Sequence, residues 1–298
     1  MTAFGVKKTV AALPHKINDA MEHFTELQAA LRTISLRSPD PLAMARFYSR
    51  TYGMSLDEME GGYVCRGPSR EVQITNGQVN QLGFAQFRLH SDAAWQAFRR
   101  RCQGLETHAL PVNCAASAVA LRDPDGNLIV FSAPEANAMP SIEAAPLPAT
   151  LQHFALRTPH MLDMLAFYTE QVGLVLSDAV RDPEGHLRAC FLRSDNLHHA
   201  LALFFAPISC FDHQSFEAPD WASMKAWGDH MASLREPIVW GIGRHGPGND
   251  VFFMVRDPDG NLAEISSEIE HCEPGRTAGE WTHEERTLNL WGKAILRS

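Results

Sequence analysis

RDPDGNL at residues 122–128 recurs without change at 256–262. The longer stretch LRTISLRSPDPLAMARFY at 31–48 lies without gaps on LQHFALRTPHMLDMLAFY at 151–168, with eight identities in eighteen positions. The offset between copies is 120 at the first landmark and 134 at the second, so the second copy carries about fourteen extra residues between them. One domain used twice in tandem is the economical reading.

Working outward, ISLRS at 34–38 alternates as a strand does, and a Pro-marked start leads into LAMARFY. Its apolar residues at 42, 44, 47 and 48 share a helix face. GYVCR and REVQIT read as strands parted by Gly, Pro and Ser turn residues. FAQFRL at 84–89, followed by AAWQAFRRRC, restarts the strand-then-helix order. The expected fold is therefore α+β, a tandem duplication in which each copy is a pair of βαβββ modules, four in all. DPDGN predicts a tight hairpin turn, which by itself carries no chemistry.

Domain boundaries follow from the repeat. Ile17, Met21, Phe24 and Leu27 fall at helical spacing, so residues 1–30 are read as a helical extension. The first domain spans 31–135, a Pro- and Ala-rich linker 136–150, the second domain 151–270, and a tail 271–298. The tail has no clear period and is expected to dock on the second domain.

Composition excludes several classes. Of 298 residues 45% are hydrophobic and 20% charged, which is the balance of a globular chain. The longest apolar run, ALALFFAPI at 200–208, is strand-sized, so no membrane span is expected. The first residues lack the apolar core of a signal peptide, and a soluble cytoplasmic protein is the expectation. A net charge of −9 leaves no basic face for nucleic acid. The run Arg99, Arg100 and Arg101 reads as a solvated helix face. Six cysteines without a C-x-x-C pair read as reduced thiols. Fourteen histidines are the one compositional excess.

A duplicated domain is its own control, because shared positions serve the fold and unshared polar ones are candidates for function. His153, on the first strand of copy two, falls on Thr33. His213, in FDHQSF, falls on Phe84 when Phe216 is matched to Phe87. Glu264, seven residues after Asp257, falls on Val130. Singly, each would read as a hydrogen-bonded core histidine or a solvated carboxylate. Jointly, two imidazoles and one carboxylate from three strands form the facial triad of non-haem Fe(II) enzymes. Such a triad leaves positions open for a chelating substrate and dioxygen.

The arrangement resembles the type I extradiol catechol dioxygenases of the vicinal oxygen chelate superfamily over about residues 31–270. The matching pieces are the histidines of LQHFALR and FDHQSFE and the segment GIGRHGPGNDVFFMVRDPDGNLAEIS. The resemblance implies Fe(II), less often Mn(II), on His153, His213 and Glu264, with copy one free of metal. It implies a homo-oligomer, a dimer or tetramer, that cleaves a catechol with O2 in aromatic degradation, giving a muconic semialdehyde-type product. His199, at the head of HALALFF, matches the family's acid–base histidine better than His198, because the apolar alternation begins just after it. His245, in GRHG, matches the histidine that hydrogen-bonds the substrate oxygen. Arg244 reads equally as an anion contact or a surface charge.

One residue departs from the pattern. The family usually has a tyrosine three residues before the Asp of the final turn, and here Met254 stands there. The four tyrosines are Tyr48, Tyr52, Tyr63 and Tyr168, so no shift of alignment supplies one. Methionine donates no hydrogen bond but packs softly on a ring. An active enzyme with altered substrate orientation or slower turnover is expected. Trp240, Phe252 and Met254 predict an apolar substrate pocket, and without an obvious arginine pair a plain, alkyl or aryl catechol is favoured.

Two other readings stay open. One is a metal-dependent lyase or antibiotic-modifying transferase of the same superfamily, which usually builds its site from short paired modules across a dimer. The other is a non-catalytic small-molecule-binding protein, which would not require the triad.

Overall fold

The computed structural model describes residues 27–135 and 147–295. Most of the helical extension expected at 1–30 and most of the linker 136–150 lie outside the described residues, while Ala29 and Ala30 already belong to the first strand.

Copy one forms a seven-stranded sheet from β1 (Ala29–Ser38), β2 (Ser55–Met59), β3 (Gly62–Gly67), β4 (Arg70–Asn76), β5 (Leu82–Leu89), β6 (Val119–Arg122) and β7 (Leu128–Ser132). Their order is β2-β3-β4-β1-β5-β7-β6. Copy two contributes β8 (Thr150–Thr158), β9 (Val175–Arg181), β10 (Leu187–Arg193), β11 (Leu201–Phe205), β12 (Cys210–Glu217), β13 (Trp240–Arg244), β14 (Val251–Arg256) and β15 (Leu262–Ser267). The tail adds β16 (Gly279–Thr282), completing the order β13-β14-β15-β12-β8-β11-β10-β9-β16.

In each module the first strand pairs in parallel with the last, as β8 does with β11 and β12 with β15. The modules of one copy join through antiparallel first strands, β1 with β5 and β8 with β12. Helices α1 (Pro41–Tyr52), α2 (Asp92–Arg101), α3 (Met161–Ala166) and α4 (Trp221–Leu234) fill the crossovers, and α3 runs on into a π-helical turn at Phe167–Val172. Asp40 caps α1 by accepting from Ala43 N, Pro41 opens it, and Gly53 ends it at φ +60°.

One of the four modules is abbreviated. Counting back 134 residues from β13 reaches ETHAL at 106–110, which makes one backbone bond, His108 N to Ala120 O at 2.9 Å. Pro111 follows and has no N–H to carry a ladder further. That module is therefore βαββ.

The repeated turn acquires a structural purpose. Tyr168 of copy two donates its hydroxyl to Asp123 Oδ2 of copy one at 2.8 Å. Reciprocally, Tyr48 of copy one reaches Asp257 Oδ2 of copy two at 3.4 Å, while Gln214 donates to the Tyr48 hydroxyl at 2.7 Å. Burial raises both carboxyl pKa values, that of Asp257 to about 6. Around this clasp Tyr52 packs on Phe216 and Trp227, with ring centroids 4.8 and 5.9 Å apart. Tyr168→Phe leaves a buried carboxylate one donor short, so a stability loss of about 1–3 kcal/mol is expected in denaturant melts.

Among the described residues no helix is long and apolar enough to cross a membrane. The cysteines are free thiols, and burial pushes those of Cys65 and Cys190 up to about 12.

Candidate metal centre

Three strands of copy two bring the candidate ligands to one buried point. His153 lies on β8, His213 on β12 and Glu264 on β15, and ladder pairing sets Ser215 opposite both His153 and Glu264. His153 Nε2 is 3.2 Å from His213 Nε2. Glu264 Oε2 lies 3.5 Å from His213 Nε2 and 3.8 Å from His153 Nε2. Neighbouring atoms bound to one ion at about 2.1 Å stand about 3 Å apart, so this spacing fits a single ion.

The rings are held for that purpose. Gln152 donates its amide to His199 O, so its Oε1 accepts from His153 Nδ1. Asp212 Oδ1 accepts from His213 Nδ1 at 2.6 Å, and its Oδ2 accepts from Arg157 Nε at 2.6 Å. Each ring thus carries its proton on Nδ1 and turns the Nε2 lone pair to the centre. Burial, and then the neighbouring histidines, hold the His153 pKa well below its ordinary value, which keeps the ring a neutral ligand. Asp212→Asn removes the charge behind His213, and metal affinity is expected to fall about 10–100-fold in chelator competition.

Copy one shows the same register without the chemistry. Thr33 faces Gln86 as His153 faces Ser215, and Gln86 faces Val130 as Ser215 faces Glu264. Phe84 and Val130 pack there with Ala120 and Leu128 in a small apolar cluster.

A pocket opens above the triad, walled by Phe191, Phe204, Trp240, Met254 and Leu288, with His199 and His245 on its sides. The His199 ring lies 4.4 Å from that of His153. Of the two adjacent histidines, His199 lines the pocket and His198 stands behind it. The two Nδ1 atoms are 3.1 Å apart, and His198 Nε2 is 3.2 Å from Asp178 Oδ2. Asp178 in turn accepts from Gly279 N, Trp281 Nε1 and Arg276 Nη2 of the tail, at 3.0, 2.7 and 3.0 Å. With the His198 proton on Nε2, toward Asp178, His199 donates from Nδ1 to His198 Nδ1 and carries its lone pair on Nε2. Burial, and then four neighbouring imidazoles, hold the His199 pKa well below its ordinary value.

His245 donates Nδ1–H to Leu288 O at 2.6 Å. Phe252 does not line the pocket; its ring stacks on His245 with centroids 3.8 Å apart. Arg244 serves the loop and surface, donating to Asn249 O and Glu268 Oε2 and lying over the Trp291 ring. Gly248, at φ +78°, lets the loop approach, since a Cβ there would lie 3.1 Å from His198 Nδ1.

Residues 150–265 match the family model described as the Glyoxalase/Bleomycin resistance protein/Dioxygenase superfamily. The second copy is a domain of that superfamily. Among curated proteins, Metapyrocatechase 2 of Cupriavidus necator is 31% identical over 201 residues, which is 60% of this chain and 62% of that relative. The chain thus matches less than two thirds of that protein's length. Among solved structures, homoprotocatechuate 2,3-dioxygenase of Arthrobacter globiformis superposes with a TM-score of 0.74 at 20% identity, covering 90% of this chain and 88% of its own. The Mn(II)-bound glyoxalase of Novosphingobium aromaticivorans gives 0.73 at 22%, covering 88% and 90%. These two likenesses show that the α+β fold extends over most of the chain. They also correct one expectation: a glyoxalase spans nearly the same four modules, so chain architecture does not by itself separate lyase from dioxygenase.

Beyond the expected residues, the supports Gln152 and Asp212 each directly precede a histidine ligand, a signal the sequence did carry. The pocket wall Leu288 and the anchor Trp281 come from the aperiodic tail and carried none.

Proposed function

We propose that the protein is an extradiol ring-cleaving dioxygenase of catecholic substrates, using Fe(II) in preference to Mn(II) on His153, His213 and Glu264. The product is a muconic semialdehyde-type compound, formed in the degradation of aromatic compounds. The observation that carries the reading is a buried two-histidine, one-carboxylate face opening on an apolar pocket flanked by His199 and His245. The 31% identical metapyrocatechase supports it.

A ferrous ion held there supplies chelation of the two catechol oxygens and electron exchange between ring and dioxygen. The chain's own residues do the rest. His199 takes a hydroxyl proton through Nε2 as the substrate docks, and later returns it to the oxygen that must leave. His245, on the facing side, turns its Nε2 edge to the substrate's second oxygen, with its ring fixed by Leu288 O and Phe252. Phe191, Phe204 and Trp240 exclude water from the ring face, and Met254 packs where a tyrosine would donate. Among the described residues the walls carry no arginine, which favours a plain, alkyl or aryl catechol. Copy one, residues 31–135, serves as the metal-free support, and the working form is a cytoplasmic dimer or tetramer.

Anaerobic loading with Fe(II), then a catechol and air, tests the reading. A yellow product with matching oxygen uptake is expected. A glyoxalase-like lyase would turn over without oxygen, and a binding protein would not turn over at all. Met254→Tyr restores a donor worth about tenfold in rate toward a charged oxygen, so changed turnover or substrate preference among catechols is expected. Unchanged rates across a catechol panel would refute a role for this position.

A further inference from the structure

We propose that the tail, residues 271–295, is a positioning element for both pocket histidines: it fixes a proton on Nδ1 of His199 and of His245, so that each turns Nε2 to the substrate. The inference rests on the roles proposed above for those two rings and adds Asp178 and Trp281 as the positioning residues behind them.

The tail reaches the two rings by different routes. Toward His199 it works through β16, which pairs in parallel with β9 and sets Gly279 beside Asp178. Gly279 N, Trp281 Nε1 and Arg276 Nη2 all donate to the Asp178 carboxylate, and Arg276 is itself held by Glu270 and Ser177 O. A carboxylate ringed by three donors is held as the anion. Its Oδ2, 3.2 Å from the buried His198 Nε2, attracts an N–H and repels a lone pair. With its proton there, His198 presents a bare Nδ1 3.1 Å from His199 Nδ1, and a proton on the latter satisfies both.

Toward His245 the tail works directly. The short helix Glu285–Leu288 ends at a carbonyl that can only accept, so His245 Nδ1, 2.6 Å from Leu288 O, must donate. One residue on, Gly246 N donates to Thr287 O at 2.9 Å. A Cβ on Gly246 would lie 2.8 Å from Trp281 Cζ3, so the Trp281 ring abuts the His245 loop. Trp281 therefore links the routes, its ring against that loop and its Nε1–H on Asp178.

The duplication again acts as a control. Phe154 faces Leu201 as Ile34 faces Val72, so His198 and His199 fall on Ser69 and Arg70 of copy one. At the offset of 134 set by the shared turn, His245 falls on Pro111. Among the described residues, the sheet of copy one ends at β2, whose Asp57 and Glu58 are exposed. Copy two instead carries β16 beyond the equivalent strand, β9. A strand that served the fold alone would be needed in both copies, yet it accompanies the histidines.

The full chain, isotopically labelled at its histidine ring nitrogens and given the diamagnetic ion Zn(II), is read by nitrogen–proton correlation, which separates protonated from bare ring nitrogens. The two rings are identified by the signals lost in His199→Asn and His245→Asn. A proton on Nδ1 and a bare Nε2 are expected for both. Asp178→Asn is expected to spread the His199 proton over both nitrogens and leave His245, held by Leu288 O, unchanged. Loaded with Fe(II), the same variant should lose about 10–100-fold in kcat for catechol while KM and retained iron stay the same. Trp281→Phe removes one donor from Asp178, and a smaller loss of about fivefold in kcat is expected. A proton on Nε2 of either ring in the unaltered chain overturns the proposal, as does a His199 spectrum unchanged in both variants. The expected spectra without turnover of any catechol would remove the proposed function and leave the role of the tail standing. If Asp178→Asn fails to fold, the unaltered chain and Trp281→Phe decide.

Discussion

His213→Ala is expected to abolish both metal retention and oxygen uptake, with turnover reduced at least about 10³-fold. The substitution removes one of three ligands and also strips Asp212 of the ring it holds at 2.6 Å. Asp212 keeps Arg157 as a partner, so the loss should fall on the site rather than on the fold. Elemental analysis of the purified variant, set beside its thermal melt, separates these effects. Oxygen uptake surviving in a folded, metal-free His213→Ala protein would remove the triad from the reaction.

His199→Asn is expected to behave differently. Metal content should stay at the level of the unaltered chain, because His199 is not among the ligands. Turnover should fall about 10²–10⁴-fold, the usual contribution of a positioned acid–base group. The ring sits against His153 and is backed by His198 and, through it, Asp178. A defect in positioning alone would raise KM with kcat kept. A defect in proton transfer lowers kcat and leaves catechol binding, followed anaerobically by its absorbance, little changed. The second pattern is the expected one, and the first would reassign His199 to packing.

Much of this was legible in the sequence because the chain contains its own comparison. The repeat announced two copies, and the ladder register of both sheets pairs Thr33, Phe84 and Val130 with His153, His213 and Glu264 in the way the alignment did. What the sequence withheld lay in contacts without period. The tail supplies a wall of the pocket and three donors to Asp178, yet its residues alternate with nothing. The module of β5 to β7 is short of a strand where Pro111 follows the weak stretch 106–110, which no count of repeats reveals.

The reciprocal tyrosine clasp changes how copy one should be regarded. Tyr48 sits on a helix of copy one, yet it contacts Gln214, the residue after His213, and Asp257, in the turn that launches the strand of Glu264. Copy one therefore acts as a buttress for two of the three strands that carry the candidate ligands in copy two. Duplication here produced a division of labour rather than a spare. Severed from its sibling, the active half would keep its ligands in the sequence and lose the bracing that sets them.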